Sequence, residues 1–299
     1  MIRVSVEMRR LICSLFLFCL AGRVSAQIIG HLDAKLVGAS DRHISVYSEK
    51  GVELWRHQSL NVHDFTLLPN GNVLYADGNV HEVTPDHREV FTYRPKIQKG
   101  GGSYSCQRLP NGNTLIAENA AGRLVEVTPG GKVVFTLKVK FDPRKNQHRR
   151  LRMVRKLESG NYLVTQCDER IVREYTPAGK IVWEMPTAGW TFLALRLANG
   201  HTLISSMKEI VEVTPDKKVV WKLTERDIPG VKLVNLCGIQ PLPNGNLVIG
   251  CYGSPRDKDA TDTLELTRDK RCVWRFVNKR DRCMTWTYKL LPGMPSPLR

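Results

Sequence analysis

The chain has 299 residues, enough for one large domain or two ordinary ones, with 42% hydrophobic residues and a mean hydropathy of −0.27. A chain of this length can bury a sizeable core. Forty-five Lys and Arg against 29 Asp and Glu give a formal charge of +16, which favours anionic partners.

Residues 1–26 read as a secretory signal peptide. Arg9 and Arg10 form the basic start, residues 11–20 the apolar stretch, and Val24-Ser25-Ala26 the small-residue cleavage site before Gln27. The apolar stretch is too short to span a bilayer, and no other long one follows, so no membrane span is expected. Cleavage removes four arginines and one glutamate, a net three charges, so +16 becomes +13. The expected location is secreted or periplasmic, which argues against nucleic acid as partner. Acidic or sulfated polysaccharide, or an anionic small molecule, fits better. Six cysteines remain in an oxidising compartment, and the favoured pairings are Cys237–Cys251 and Cys272–Cys283.

Residues 27–299 read as a single repeat domain. Each copy opens on a hairpin, at Asn70-Gly71, Asn111-Gly112, Ser159-Gly160, Asn199-Gly200 and Asn244-Gly245, spaced 40 to 48 residues apart. Asn-Gly between two alternating runs predicts a type I′ turn. Each copy closes on an aromatic: Trp55, Phe91, Phe135, Trp183, Trp221 and Trp274. A Glu-Val-Thr-type strand and a tight turn precede most of these, as in Glu126-Val-Thr128-Pro129. Six closing strands but five opening hairpins leave the first copy short of its innermost strand. The terminal run from Met284 to Gly293 matches that strand and then stops. The prediction is an all-β six-bladed propeller whose C-terminal strand completes the first blade, with seven blades as the runner-up. A monomer is expected.

The repeat Leu109-Pro-Asn-Gly-Asn-Thr-Leu-Ile116, followed by Glu126-Val-Thr-Pro-Gly-Gly-Lys-Val-Val134, resembles exported bacterial propellers labelled PQQ-like or arylsulfotransferase-like. His63-Asp64-Phe65 resembles the histidine-bearing opening strand of arylsulfotransferases. That resemblance implies His63 as nucleophile or general acid/base, with Arg152 neutralising developing charge. The chain is much shorter than those enzymes, and no second histidine follows in the matching strands. No Glu/Asn/Asp cluster stands out to hold PQQ, so no cofactor is predicted. Asp257, Asp259 and Asp262 could hold a structural calcium.

The turns of one propeller face are uniform, whereas the other carries long inserts at 137–151, 224–233 and 252–262. Elaborated loops on a rigid scaffold are where binding is expected. The first insert and the strand after it carry Arg149, Arg150, Arg152 and Arg155, suited to sulfate, phosphate or carboxylate. Seven residues before each turn asparagine or its equivalent lies the channel-mouth end of an inner strand. These positions are His63, Tyr104, Arg152, Phe192, Cys237 and, through the C-terminal strand, Trp286. Asp64, Gln107 and Gln240 are further polar candidates for the rim. Inner-strand parity decides whether each meets channel or core. The leading expectation is a binding module for an anionic glycan or small acidic ligand. Its site would comprise Asp64, Tyr104, Gln107, Arg149, Arg150, Arg152, Gln240 and Trp286. An enzyme using His63 (sulfuryl transferase, hydrolase or lyase) and a protein-binding scaffold are the alternatives.

Overall fold

The computed structural model describes residues 26–40, 42–252, 261–278 and 286–298, and shows a six-bladed β-propeller rather than seven blades. Each blade is an antiparallel sheet, its strands lettered A to D from the axis outward. Blade I takes strand A from the C-terminus, Trp286–Lys289, followed by Leu36–Ala39, His43–Tyr47 and Glu53–Gln58. Blade II runs Asp64–Leu67, Val73–Ala76, Val80–Val83 and Glu89–Tyr93. Blade III runs Ser103–Arg108, Thr114–Glu118, Arg123–Val127 and Val133–Lys138. Blade IV runs Val154–Lys156, Tyr162–Gln166, Ile171–Tyr175 and Ile181–Pro186. Blade V runs Thr191–Arg196, Thr202–Ser206, Glu209–Val213 and Val219–Thr224. Blade VI runs Leu236–Pro241, Leu247–Cys251, Thr263–Leu266 and Cys272–Val277. A fifth strand, Gln27–Gly30, caps its outer edge antiparallel, a pairing that no repeat signal announces. Gly30 permits it, because a Cβ there would stand 2.5 Å from the Val273 carbonyl oxygen.

The turns differ from the type I′ expectation. Within Leu68-Pro69-Asn70-Gly71, only Gly71 has positive φ, at 82°. Gly71 N–H donates to Leu68 O at 2.8 Å, and Asn72 N–H donates to the Asn70 side-chain oxygen at 3.0 Å. This is a type I turn with proline at its second position, followed by a left-handed glycine. The C–D turns are built alike, but the left-handed position holds His87, Lys217 and Lys270 where other copies have Gly51, Gly131 and Gly179. A left-handed non-glycine costs about 1–2 kcal/mol, offset in part by glycine's entropy. Lys217→Gly should therefore raise Tm by about 2 °C, read by thermal unfolding. An unchanged or lower Tm would contradict this account of the turn.

Strand C carries the glutamate of the repeat, and sequence alone left its purpose unread. Glu82, Glu126, Glu174, Glu212 and Glu265 are all buried. Each is neutralised by a base from the following blade: Arg108 (2.5 Å), Lys156 (2.6 Å), Arg196 (2.7 Å), Arg268 and Lys289 (2.8 Å). A buried carboxylate needs such a partner, so the repeat writes an inter-blade ion pair at five of the six junctions. In blade I the position is Val46, and Leu67 of blade II packs against the same apolar cluster. Both charges are absent there together, as the desolvation argument requires. The closing tryptophans add a second tie, since Trp55, Trp183 and Trp221 donate their indole N–H to the next blade's C–D turn.

Closure is by the C-terminal strand, which pairs with Leu36–Ala39 in the register Lys289↔Leu36 to Trp286↔Ala39. Gln240, expected at the rim, fastens this clasp instead. Its Oε1 accepts from Lys289 N–H (2.7 Å) and its Nε2 donates to Lys289 O (3.1 Å). The expected Cys237–Cys251 disulfide does not form: both side chains are buried, and Cys237 sits in the A–B bulge of blade VI, while Cys283 of the other expected pair lies outside the described residues. So does most of the 252–262 loop expected to hold calcium. Among the described residues, no helix is long and apolar enough to cross a membrane.

Candidate functional site

The long insert between blades III and IV is a built structure rather than a loose basic loop. A single 3₁₀ turn, Gln147–Arg149, starts where Asn146 accepts from His148 N–H at 2.9 Å. The fully buried Asn119 binds the turn from below, donating to Gln147 O (2.7 Å) and His148 O (2.9 Å) and accepting from Leu151 N–H (2.6 Å). Asp168 accepts from Arg149 Nε and from Asn146 N–H, both at 3.0 Å. Those bonds fix where His148, Arg149, Arg150 and Arg152 point.

They point in two directions. Arg150 turns inward, is 6% exposed, lies 3.8 Å over the Phe141 ring and donates to Ala120 O. It anchors the insert and does not line a cavity, contrary to its expected place at the rim. His148, Arg149 and Arg152 turn towards the axis. There they line a cavity of about 290 Å³ together with His63 of blade II. Trp190 and Phe192 from blade V and Tyr252 from blade VI supply its aromatic walls. Asn61 and Asn235 contribute amides, and Met153, Met207, Val62 and Cys237 complete it. This is the face of the D–A and B–C connections, where the inserts collect.

Four of the inner-strand start positions, His63, Arg152, Phe192 and Cys237, meet in this cavity. The fifth, Tyr104, stands behind it. Its ring centroid is 3.8 Å from that of His63, and its hydroxyl lies 2.8 Å from His148 Nδ1. Gly101, at φ +98°, leaves room for that hydroxyl, which a Cβ would occupy. Trp286 belongs to the clasp strand by its backbone, and its side chain lies outside the described residues. Asp64 and Gln107 do not reach the cavity. Asp64 is fully buried and takes both terminal nitrogens of Arg155, at 2.7 and 2.8 Å, together with Ser105 Oγ (2.8 Å) and Cys106 N–H (3.1 Å). Gln107 Oε1 accepts from Lys156 N–H at 2.7 Å. One step along a strand reverses a side chain's direction, so His63 and Asp64 part company.

The electrostatics of the cavity are one-sided. Arg149 is neutralised by Asp168 and stacks 4.2 Å over Trp190. Arg152 has no carboxylate partner among the described residues. It donates to His148 O at 2.7 Å and lies 5.1 Å over Tyr104. No Asp or Glu lines the cavity among the described residues. Burial, then the Arg152 and His148 charges, hold the His63 imidazole well below its ordinary pKa. Burial, then Arg152 and Arg149, lower that of His148. Both rings are therefore neutral near pH 7, and Arg152 is the standing positive charge. Trp190, Tyr252, Met207, Asn61 and Asn235 carried no repeat signal, because the connections that present them differ from blade to blade. Among the described residues there is no cluster of three or more metal-ligating side chains.

No family model and no curated protein matches this sequence. Solved structures do match it as β-propellers. A protein of unknown function from Bacteroides caccae has a TM-score of 0.75 at 21% identity, over 85% of this chain and 97% of that one. A catalytically inactive virginiamycin B lyase from Staphylococcus aureus, solved with quinupristin, has a TM-score of 0.56 at 12% identity, over 84% and 98%. The extracellular domain of a hybrid two-component system from B. thetaiotaomicron has a TM-score of 0.54 at 15% identity, over 89% of this chain and 36% of that one. At these identities the likeness is one of fold alone, shared by a protein of unknown function, a lyase and an extracellular domain.

Proposed function

We propose that this propeller is an exported binding module. Its axial cavity holds an acidic small molecule or the acidic unit of a glycan. The observation that carries the reading is Arg152, a guanidinium without a carboxylate in a cavity that no Asp or Glu lines among the described residues. A carboxylate or sulfate supplies the missing partner through charge-assisted, bidentate hydrogen bonds. Trp190, Phe192 and Tyr252 offer ring faces, and Asn61 and Asn235 can orient hydroxyl groups. The test is a binding screen of carboxylated, sulfated and neutral sugars at low and high salt. Selective binding of the acidic sugars that weakens with salt supports the reading. Equal binding of neutral sugars would remove it.

The depressed imidazoles add a pH signature. An anion beside His63 and His148 favours their protonated forms, so binding takes up protons and strengthens as pH falls from 8 towards 5. His148→Gln should flatten that profile, as read by titration calorimetry in buffers of different ionisation enthalpy. An affinity independent of pH would contradict it.

A second reading, catalysis by His63, is favoured by the same neutral imidazole, held against Tyr104 at the wall of the cavity. A neutral imidazole can accept a proton at neutral pH. Turnover of a bound acidic sugar that disappears in His63→Gln, with binding retained, would support it. Binding without turnover leaves the module reading alone.

A further inference from the structure

A second cavity of about 360 Å³ adjoins the first, and Met207 and Asn235 line both. Its other walls are the blade V loop residue Lys208 and the 225–234 insert, with Glu225, Lys232 and Val234 among them. The two cavities are therefore neighbouring compartments on the loop face, divided by one flexible thioether and one amide. Resting on the acidic-ligand reading above, we propose that the ligand is a glycan segment of at least two units. One acidic unit would sit against Arg152, and the anionic group of the next would lie at Lys208.

Charge and size both support this assignment. Lys208 is exposed, and no carboxylate pairs with it among the described residues, although the neighbouring Lys222 holds Glu209 at 2.6 Å. Lys208 is thus the base that the second anionic group would meet in this compartment. Each compartment alone is near the lower end of the roughly 300–1,000 Å³ usual for small-molecule sites, and together they fall well within it. Apolar walls from Val231, Leu233 and Val234 give the second unit a surface to lie on. Asn235 stands at the division, where its amide can reach hydroxyls on either side of the linkage. Two linked anionic units thus gain from both compartments at once, whereas a single unit fills only one.

The experiment titrates the folded chain with a uronate series of one, two and four galacturonate units. In parallel it uses a sulfated series, an N-acetylgalactosamine sulfate and a chondroitin sulfate disaccharide. Two variants are measured beside the unmodified chain. Lys208→Ala removes the charge of the second compartment, and Val234→Trp fills it. The expected result is at least a tenfold tighter Kd for two units than for one, in whichever series binds. That gain should shrink to within about threefold in both variants, with the one-unit affinity unchanged. A gain in the uronate series shows that carboxylates suffice for both compartments, and a gain confined to the sulfated series shows that one of the two anionic groups must be a sulfate. If one unit binds as tightly as two, or if the gain survives both variants, the second compartment is no subsite and the single-unit reading stands. If neither series binds, both readings fall.

Discussion

Asp64→Ala should cost about 3–5 kcal/mol of stability, as breaking a buried ion pair by removing one partner does. Asp64 comes from blade II, Ser105 and Cys106 from blade III, and Arg155 from blade IV, so one bidentate ion pair bolts three inner strands together. Burial by itself would lower the Arg155 pKa, but the Asp64 charge and hydrogen bonds more than offset it and hold it above the ordinary value. Removing the carboxylate leaves that guanidinium charged and enclosed and takes the acceptor from Cys106 N–H, while the Ser105 hydroxyl keeps only its longer bond to Val154 O at 3.3 Å. The penalty therefore exceeds the net worth of the pair. The double variant Asp64→Leu with Arg155→Met should recover much of the loss, because neither desolvation cost remains. Urea unfolding of the three variants is the check. A cost below about 1 kcal/mol for Asp64→Ala would mean that the pair does not hold the blades.

Arg152→Ala should weaken binding of an acidic sugar by roughly 10- to 150-fold, the range that corresponds to losing a charge-assisted hydrogen bond of about 1.5–3 kcal/mol. The salt dependence of binding should fall with it, since a removed contact charge no longer responds to screening. Arg152→Lys should fall between, because an ammonium keeps the charge and loses the planar fork. Arg152 also lies over Tyr104 and bonds His148 O, so the lysine variant and a thermal melt separate lost recognition from a loosened insert. Binding that is unaffected by Arg152→Ala would remove the observation on which the proposed function rests.

The inter-blade glutamates show why a repeated residue is hard to read from one sequence. Glu126 recurs in five copies, yet its meaning depends on Lys156, which comes from a different blade 30 residues later. The blade I exception is legible only once Val46 and Leu67 are seen to pack in one cluster without charges. In the same way Arg150 and Arg152 are indistinguishable as sequence. One ends over Phe141 and the other at the axis because Asn119 fixes the backbone between them.

By itself the sequence determined the propeller, its six blades and the C-terminal clasp. Turn glycines, closing aromatics and unit length are local properties, and they recur until one architecture satisfies them all. It also determined which face carries the inserts and which strand positions begin at the channel mouth. Tertiary structure alone decided which of two adjacent side chains, His63 or Asp64, meets the cavity, and which bases are already neutralised. It also placed Gln27–Gly30 on blade VI and brought Trp190, Tyr252 and Arg152 to one cavity. The physical reason is that strand parity and charge pairing are set by partners from other blades. Those partners lie tens of residues away, beyond any local pattern.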